Sequence, residues 1–409
     1  MMFDPIDEVI KAYAEGKIVI IVDDEDRENE GDFCVAAEKV TPEIINFMAI
    51  EGRGLICLAL DNKIANSLDL PPMVSNNTSN FGTNFTVSID AMEGVTTGIS
   101  AHDRAKTILT CVKDGVKPTE LVRPGHIFPL RAVDGGVLIR AGQTEASVDL
   151  AKMGGLKGAG VICEIMNIDG TMMRLPDLKK FAKKHSLKLT SVEEIQKYRV
   201  KINDFHIKNT VSANLPTEYG MFRIHFYKNT IDFKEHIILT CGDIQPEGKA
   251  INEPVLVRVH SECFTGDVLH SIRCDCGEQL HKAQKMILQA GRGVIIYLRQ
   301  EGRGIGLENK LKAYNLQDQG HDTLEANKML GLAPDMRTYG LGAQMLYHLG
   351  VRKIKLITNN PSKVTGIQGY GLEIVDRIAL ETTPTSSNIE YLKTKKTRFG
   401  HLLNDDSLA

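Results

Sequence analysis

The fold class predicted is mixed α/β (α+β), in two domains that are each a mixed sheet with flanking helices. Three observations predict it. Strand-like β-branched runs alternate with helical patterns along the whole chain. The 409 residues amount to two or three domains at about 100–200 residues each. Between Ser191 and Asn209 the apolar pattern thins into Glu193, Glu194, Lys197, Arg199 and Lys201. That thinning sets a boundary near residue 203, with one domain over 1–202 and a second over 203–409.

Each element follows from its residues. Lys17 to Val22 reads as a strand, Asp23 to Gly31 as a polar loop and Phe33 to Ala37 as the returning strand. Thr41 and Pro42 form an N-cap and first-turn pair, with Ile44, Ile45, Phe47 and Met48 as the buried stripe. Gly54 to Leu60, Val137 to Arg140 and Val161 to Glu164 read as further strands. In the second half Glu253 to Ser261 reads as a strand, Gly277 to Ala290 as a helix and Gly293 to Arg299 as a strand. A glycine-rich loop leads to a helix from Leu307. Lys353 to Thr358 is a last clear strand, and Asn360-Pro361 opens a helix after it. Asn404 to Ala409 is expected to be a disordered tail.

Composition narrows the function. Hydrophobic residues make up 42% and charged residues 25%, as in ordinary soluble proteins. A net charge of -3 lacks the basic excess of a nucleic-acid footprint, so no nucleic-acid partner is expected. No apolar run approaches the ~20 residues needed to cross a bilayer, and the acidic start lacks a signal peptide's basic and apolar regions. A cytoplasmic address and no membrane partner are expected. In that reducing compartment the eight cysteines are expected to be free thiols. Cys34, Cys57, Cys111, Cys163 and Cys241 stand singly in mostly apolar stretches and read as small core residues.

Cys263, Cys274 and Cys276 are different. They form a C-x10-C-x-C cluster between a strand and a helix, and three thiolates so spaced can converge on one zinc ion. With no fourth cysteine nearby, a tetrahedral position stays open for water or substrate, unless His260, His270 or His281 closes it. Glu301-Gly302-Arg303-Gly304-Ile305-Gly306 follows a strand, where backbone N–H groups can approach phosphate. It is a poor dinucleotide fingerprint, because Leu307 stands in the place of the third glycine. Asp335 and Arg337 share a loop, and Lys363 begins a helix beside Thr358, Asn359 and Asn360, a setting that suits an anion. Taken singly, each of these is an ordinary cap or surface charge.

The first half carries a dense acidic loop, Asp23 to Asp32. Its carboxylates repel one another unless cations lie among them, and Mg²⁺ is commonly held by one or two carboxylates plus substrate phosphate. A solvated acidic turn is the plainer reading. Arg123-Pro124-Gly125-His126 and Gly142-Gln143-Thr144-Glu145 add basic, imidazole and hydroxyl groups.

The segments Asp23 to Asp32, Arg123 to Leu130, Gly135 to Ala146 and Val161 to Glu164 together resemble 3,4-dihydroxy-2-butanone 4-phosphate synthase. The segments Arg258 to Gly277, Arg299 to Leu307, Asp322 to Asn327 and Thr358 to Lys363 resemble GTP cyclohydrolase II. Their order is that of the fused riboflavin-biosynthesis enzymes. For the second half the resemblance implies catalytic zinc on Cys263, Cys274 and Cys276. It implies a GTP site formed by Arg258, Val259, His260, Ser261, Glu262, Gln279, Glu301, Gly302, Arg303, Tyr314, Thr323, Thr358 and Lys363. Asp335 matches the family's proton acceptor and Arg337 its proposed nucleophile. Because a guanidinium stays protonated, charge stabilisation is the sounder physical role.

For the first half the resemblance implies a ribulose 5-phosphate site of Arg27, Glu28, Asp32, Arg140, Ala141, Gly142, Gln143, Thr144 and Glu164. His126 and Glu164 match positions essential to its chemistry, and Glu28 matches a ligand of Mg²⁺ or Mn²⁺. One position departs. Where the family reads Gly-His-Thr-Glu-Ala and the histidine binds the metal, this chain has Gln143, whose amide oxygen can coordinate but cannot shuttle a proton. The leading expectation is the bifunctional enzyme, acting on GTP and ribulose 5-phosphate as a homodimer. The alternatives are a cyclohydrolase with an impaired synthase half, and a non-catalytic GTP-binding module stabilised by zinc.

Overall fold

The computed structural model describes residues 3–24, 27–79, 81–231, 233–332, 335, 337, 339–365, 367 and 370–403. Asn404 to Ala409, expected to be a disordered tail, lie outside them. The chain divides into two compact units, Met1–Ile202 and Asn203–Ala409.

The first unit is built on a seven-stranded sheet of β1 (Val19–Val22), β2 (Gly31–Ala36), β3 (Cys57–Leu60), β4 (Ile89–Ala91), β5 (Leu121–Arg131), β6 (Ala159–Glu164) and β7 (Lys188–Ser191), in the order β4-β5-β3-β6-β2-β1-β7. β1, β2 and β3 are buried at every position, which is why they read as unbroken apolar runs. Ile20, Phe33 and Leu58 are fully buried in one core cluster, each worth about 1.5–3 kcal/mol of removed apolar surface. Thr41 caps the helix Pro42–Phe47 through Ile44 N, with Ile45 and Met48 on the buried side. Antiparallel β2 and β6 pair Asp32 with Glu164, so the acidic loop after β1 opens at the same end of the sheet. The helix Gln143–Met153 packs over this sheet, and nine of its residues are buried.

Two expectations are corrected here. Val137 to Arg140 is no strand: Val137 and Leu138 belong to a 3-10 turn, Gly136–Leu138, and Ile139 and Arg140 follow it. Left-handed Gly135 and Gly136 curl the backbone away from extended geometry, and the Val137 amide is taken by Asp149. Cys241 is only half-buried, because its strand, Glu235–Cys241, alternates inward and outward positions; Cys34, Cys57, Cys111 and Cys163 are buried.

The second unit has its own seven-stranded sheet. It comprises β8 (Ile207–Thr217), β9 (Gly220–Asn229), β10 (Glu235–Cys241), β11 (Val255–Ser261), β12 (Gly293–Leu298), β13 (Lys353–Ile357) and β14 (Glu373–Ile378), in the order β14-β13-β11-β12-β10-β9-β8. β8, β9 and β10 form an antiparallel meander, whereas β11, β12, β13 and β14 run parallel. Crevices beyond the carboxyl ends of parallel strands are the usual ligand positions in such sheets. The residues after β11, β12 and β13 are Glu262-Cys263, Arg299 to Arg303 and Thr358 to Lys363.

Candidate active sites

In the second unit a cavity of about 570 Å³ opens at those strand ends. Its lining includes the three clustered cysteines, Arg258, His260, Ser261, Glu262, Gln279, Glu301, Gly302, Arg303, Tyr314, Arg337, Thr358 and Lys363. The thiols of Cys263, Cys274 and Cys276 lie within 4.8 Å of one another, with Cys263 and Cys274 Sγ 3.6 Å apart. Among the described residues they are the only such convergence of three cysteine, histidine or carboxylate ligands. His260 is not a fourth member: its Nε2 faces both Asp267 oxygens at 3.1 Å. Asp267 also accepts from Cys263 N at 2.9 Å and from Tyr297 OH at 2.8 Å, which fixes the start of the cysteine loop.

Electrostatics at the trio suits a cation. Hydrogen bonds from Cys274 and Cys276, with the Lys310 ammonium, hold the Cys263 thiol far below its ordinary range. Hydrogen bonding to Cys263 in turn pushes Cys274 up, and hydrogen bonding to Cys263 and Cys274 pushes Cys276 up, with burial and the charge of a neighbouring cysteine adding to both. A divalent ion relieves that mutual repulsion and lets all three ionise.

Around the trio, Glu301 accepts from Phe264 N at 2.6 Å and Lys310 Nζ at 2.8 Å. Gly302 and Arg303 are both left-handed, at φ 61° and 63°, an uncommon state for a non-glycine residue that turns this loop into the cavity. Tyr314 OH meets Thr265 Oγ1 at 3.2 Å. Arg258 donates to Ile357 O at 3.0 Å and to Gln279 Oε1 at 2.6 Å. Lys363 is buried and donates to Val259 O at 2.7 Å, which is how Val259, itself a core residue, enters the site. Burial and then the charges of Arg258, Arg337 and Lys395 push the Lys363 ammonium well below its usual range. Such crowding of cations is complementary to a polyanion.

Among the described residues, Ser261 Oγ and His260 Nδ1 are buried without a partner, an arrangement a ligand would satisfy. Asp335 pairs with Arg337, whose Nε lies 2.9 Å from Oδ1. Burial works against the Asp335 charge, but the Arg337 hydrogen bonds prevail and lower its pKa. Thr323 begins the helix Thr323–Met329; its side chain lies outside the described part. Sequence reasoning missed Lys310, Asp275 and Lys395. Only Asp275 carried a signal, its place between two of the cysteines.

In the first unit Asp23 organises the acidic loop. Its buried carboxylate accepts from Arg27 Nη1 at 2.7 Å, Glu28 N at 3.1 Å and Glu30 N at 2.8 Å. This is not the solvated acidic turn of the plainer reading; Glu25 and Asp26 lie outside the described residues. The Arg27 guanidinium is also 2.8 Å from Glu28 Oε1 and 3.0 Å from Gln143 Oε1. Three oxygen acceptors thus converge on one positive group. Arg140 meets Glu145 at 2.6 Å. Gly142 lets that pair sit close to the backbone, since a Cβ would lie 2.6 Å from Arg140 Nη1 and 2.9 Å from Glu145 Oε2 and would make those side-chain ends shift. Thr144 is buried beside Gln143, and Ala141 is exposed.

Glu164 accepts from Leu55 N at 2.7 Å. Burial raises its pKa, and burial together with Glu164 and Glu28 raises that of Asp32 well above the carboxylate range. His126 is exposed and hydrogen-bonded to Asp90 at 2.7 Å. It shares no hydrogen bond with Arg27, Glu28, Asp32 or Glu164 among the described residues, so the structure does not bring it into that cluster.

Two α/β units, each with a charged site at one end of its sheet, define a two-centre enzyme. The family model for 3,4-dihydroxy-2-butanone 4-phosphate synthase matches residues 7–198, and that for GTP cyclohydrolase II matches residues 208–379. The riboflavin biosynthesis protein RibBA of Bacillus subtilis is 55% identical over 403 residues, covering 98% of this chain and all of the relative. The RibBA protein of Aquifex aeolicus is also 55% identical, covering 98% of each chain. A crystal structure of RibBX, a two-domain 3,4-dihydroxy-2-butanone 4-phosphate synthase from A. baumannii, superposes with a TM-score of 0.65 at 35% identity, over 93% of this chain and all of that one.

The chain belongs to the bifunctional riboflavin-biosynthesis family that joins 3,4-dihydroxy-2-butanone 4-phosphate synthase to GTP cyclohydrolase II. It is a lyase and a hydrolase in one polypeptide. Matches across both halves favour that reading over a cyclohydrolase with an impaired synthase half and over a non-catalytic module. No helix among the described residues is long and apolar enough to cross a membrane.

Proposed function

We propose that the second unit opens the imidazole ring of GTP at a zinc centre on Cys263, Cys274 and Cys276, and that the first converts ribulose 5-phosphate with Mg²⁺ or Mn²⁺. The observation that carries the first part is the meeting, in one cavity, of three converging thiols and a set of mutually repelling cations. Bound zinc supplies an acidified water as nucleophile. Arg258, Arg303, Arg337 and Lys363 then face the triphosphate, while Glu301, Gly302, Gln279 and Tyr314 orient the base and ribose. The unpartnered Ser261 hydroxyl and His260 Nδ1 supply polar contacts, with Glu262, Thr323 and Thr358 completing the nucleotide site. Asp335, kept ionised by Arg337, accepts a proton. Arg337 remains cationic and stabilises charge developing on phosphate.

In the first unit Glu28 and Gln143 hold the metal, an assignment supported by their convergence on the Arg27 guanidinium. Arg27, Asp32, Arg140, Ala141, Gly142 and Thr144 bind the sugar phosphate. Glu164, whose pKa burial raises, is one acid–base group, and the family likeness makes His126 the second, although among the described residues it bonds to Asp90 and to none of Arg27, Glu28, Asp32 or Glu164. The functional division falls between 202 and 203, and the enzyme works as a cytoplasmic homodimer; both extend the family likeness. Product analysis tests the scheme. The purified chain should release formate and pyrophosphate from GTP with zinc, and formate from ribulose 5-phosphate with Mg²⁺. Failure of GTP turnover in a protein holding one zinc per chain refutes the assignment of the cavity.

A further inference from the structure

The match to the GTP cyclohydrolase II family ends at residue 379, yet the helix Ile389–Phe399 continues the cavity wall through Tyr391 and Lys395. That helix carries Lys393, Lys395, Lys396 and Arg398, and Lys395 alone among these four is buried, at 6% exposure. A buried ammonium needs a partner. Lys395 Nζ donates to Oδ1 of Asp275, the residue between Cys274 and Cys276. The second oxygen of Asp275 accepts from Gln279 Nε2 at 2.7 Å and Thr382 Oγ1 at 3.2 Å. Gln279 Oε1 in turn receives Arg258 Nη2 at 2.6 Å. Of the three side chains that grip the Asp275 carboxylate among the described residues, Thr382 and Lys395 therefore come from beyond the matched region.

We propose that Lys395 is a positioning residue of the metal-binding turn: through Asp275 it sets the direction of the flanking Cys274 and Cys276 thiols, and through Gln279 that of Arg258. The C-terminal helix is on this account a working part of the hydrolytic centre. The proposal rests on the reading that the three cysteines hold zinc. Its physical basis is charge. Asp275 is a buried carboxylate flanked by two thiolate-forming residues; without Lys395 its charge is left uncompensated, and the turn relaxes away from the geometry that aims both sulfurs inward.

The test uses the full chain with Lys395→Met, Lys395→Arg and Thr382→Val. Zinc affinity is measured by competition with a chromogenic chelator, and the thiolate-to-metal absorption bands are recorded after cobalt substitution. Lys395→Met is expected to weaken zinc about 10–100-fold, the usual effect of losing an outer hydrogen-bonding partner, and to shift the cobalt bands. Lys395→Arg, which keeps the charge, restores most of the affinity. Thr382→Val weakens zinc by a smaller factor, and it carries the test alone if Lys395→Met does not fold. Wild-type protein that binds no zinc overturns the metal reading itself. Wild-type protein that binds one zinc, with variants that hold it as tightly and with unchanged cobalt bands, overturns this proposal and leaves that reading standing.

Discussion

Adding one methyl group at Gly266 should separate metal binding from folding. Gly266 lies in the short helix Phe264–Asp267. A Cβ there would stand 2.9 Å from Cys274 Sγ, 3.1 Å from Cys263 Sγ and 3.3 Å from Cys276 Cβ. Relaxed non-bonded contacts of carbon lie at about 3.5–4.0 Å, so in Gly266→Ala each of the two sulfurs must retreat by roughly 0.5 Å. Zinc–sulfur bonds are about 2.3 Å long, and workable sites keep ligands within about 0.2 Å of ideal. The methyl therefore displaces two of three ligands beyond tolerance. Overpacking costs about 1–3 kcal/mol, but alanine recovers about 0.5–1 kcal/mol in a helix, so the metal-free fold should survive. Zinc affinity should fall at least about tenfold, or ~1.4 kcal/mol. The assay is zinc content across a chelator-buffered series, with GTP turnover in parallel and ribulose 5-phosphate turnover as the internal control. A Gly266→Ala protein that keeps wild-type zinc affinity and GTP turnover refutes the reasoning.

Other outcomes follow from the same geometry. Arg337→Gln should lower GTP turnover by about 100-fold or more with zinc content unchanged; loss of zinc in this variant would contradict the separation of the two roles. Asp32 and Glu164 have raised pKa values, so the folded first unit binds protons more tightly than the unfolded chain. Their stabilising contribution is full below the ordinary carboxylate range and is lost as pH rises through the folded values. Hydrogen exchange of β2 and β6 amides should accordingly quicken with rising pH beyond the intrinsic exchange trend, and Mg²⁺ should slow it most at the alkaline end; no such excess would show that these carboxyls carry no linkage. Gln143→Leu removes one of the three oxygens that Arg27 meets, leaving Asp23 and Glu28 in place, and should cost about 0.5–1.5 kcal/mol of stability, read as a lower unfolding midpoint. Gln143→His should change formate release from ribulose 5-phosphate by less than about tenfold, for the amide already offers an oxygen donor; a gain of several orders of magnitude would show that Gln143 cripples the synthase half.

Strands buried on both faces, such as β1 and β12, were legible because unbroken β-branched runs leave no helical alternative of that length. The Val137 to Arg140 run looks the same locally. It curls into a turn because left-handed glycines precede it and Asp149, twelve residues on, takes its amide. Residues near the cavity were legible where they travel together: Arg258 to Cys263 ends one parallel strand, and Glu301 to Arg303 follows the next.

Contiguous motifs, the charge of the acidic loop and the spacing of three cysteines are written in the chain, because each depends on neighbours a few residues apart. Which oxygen meets which cation is not. Arg27 reaches Gln143 across 116 positions, Lys310 reaches Cys263 across 47, and Lys395 reaches Asp275 across 120. A lysine reads as a solvated surface charge until the fold withdraws it from water. Only tertiary packing decides which lysines must find a buried partner.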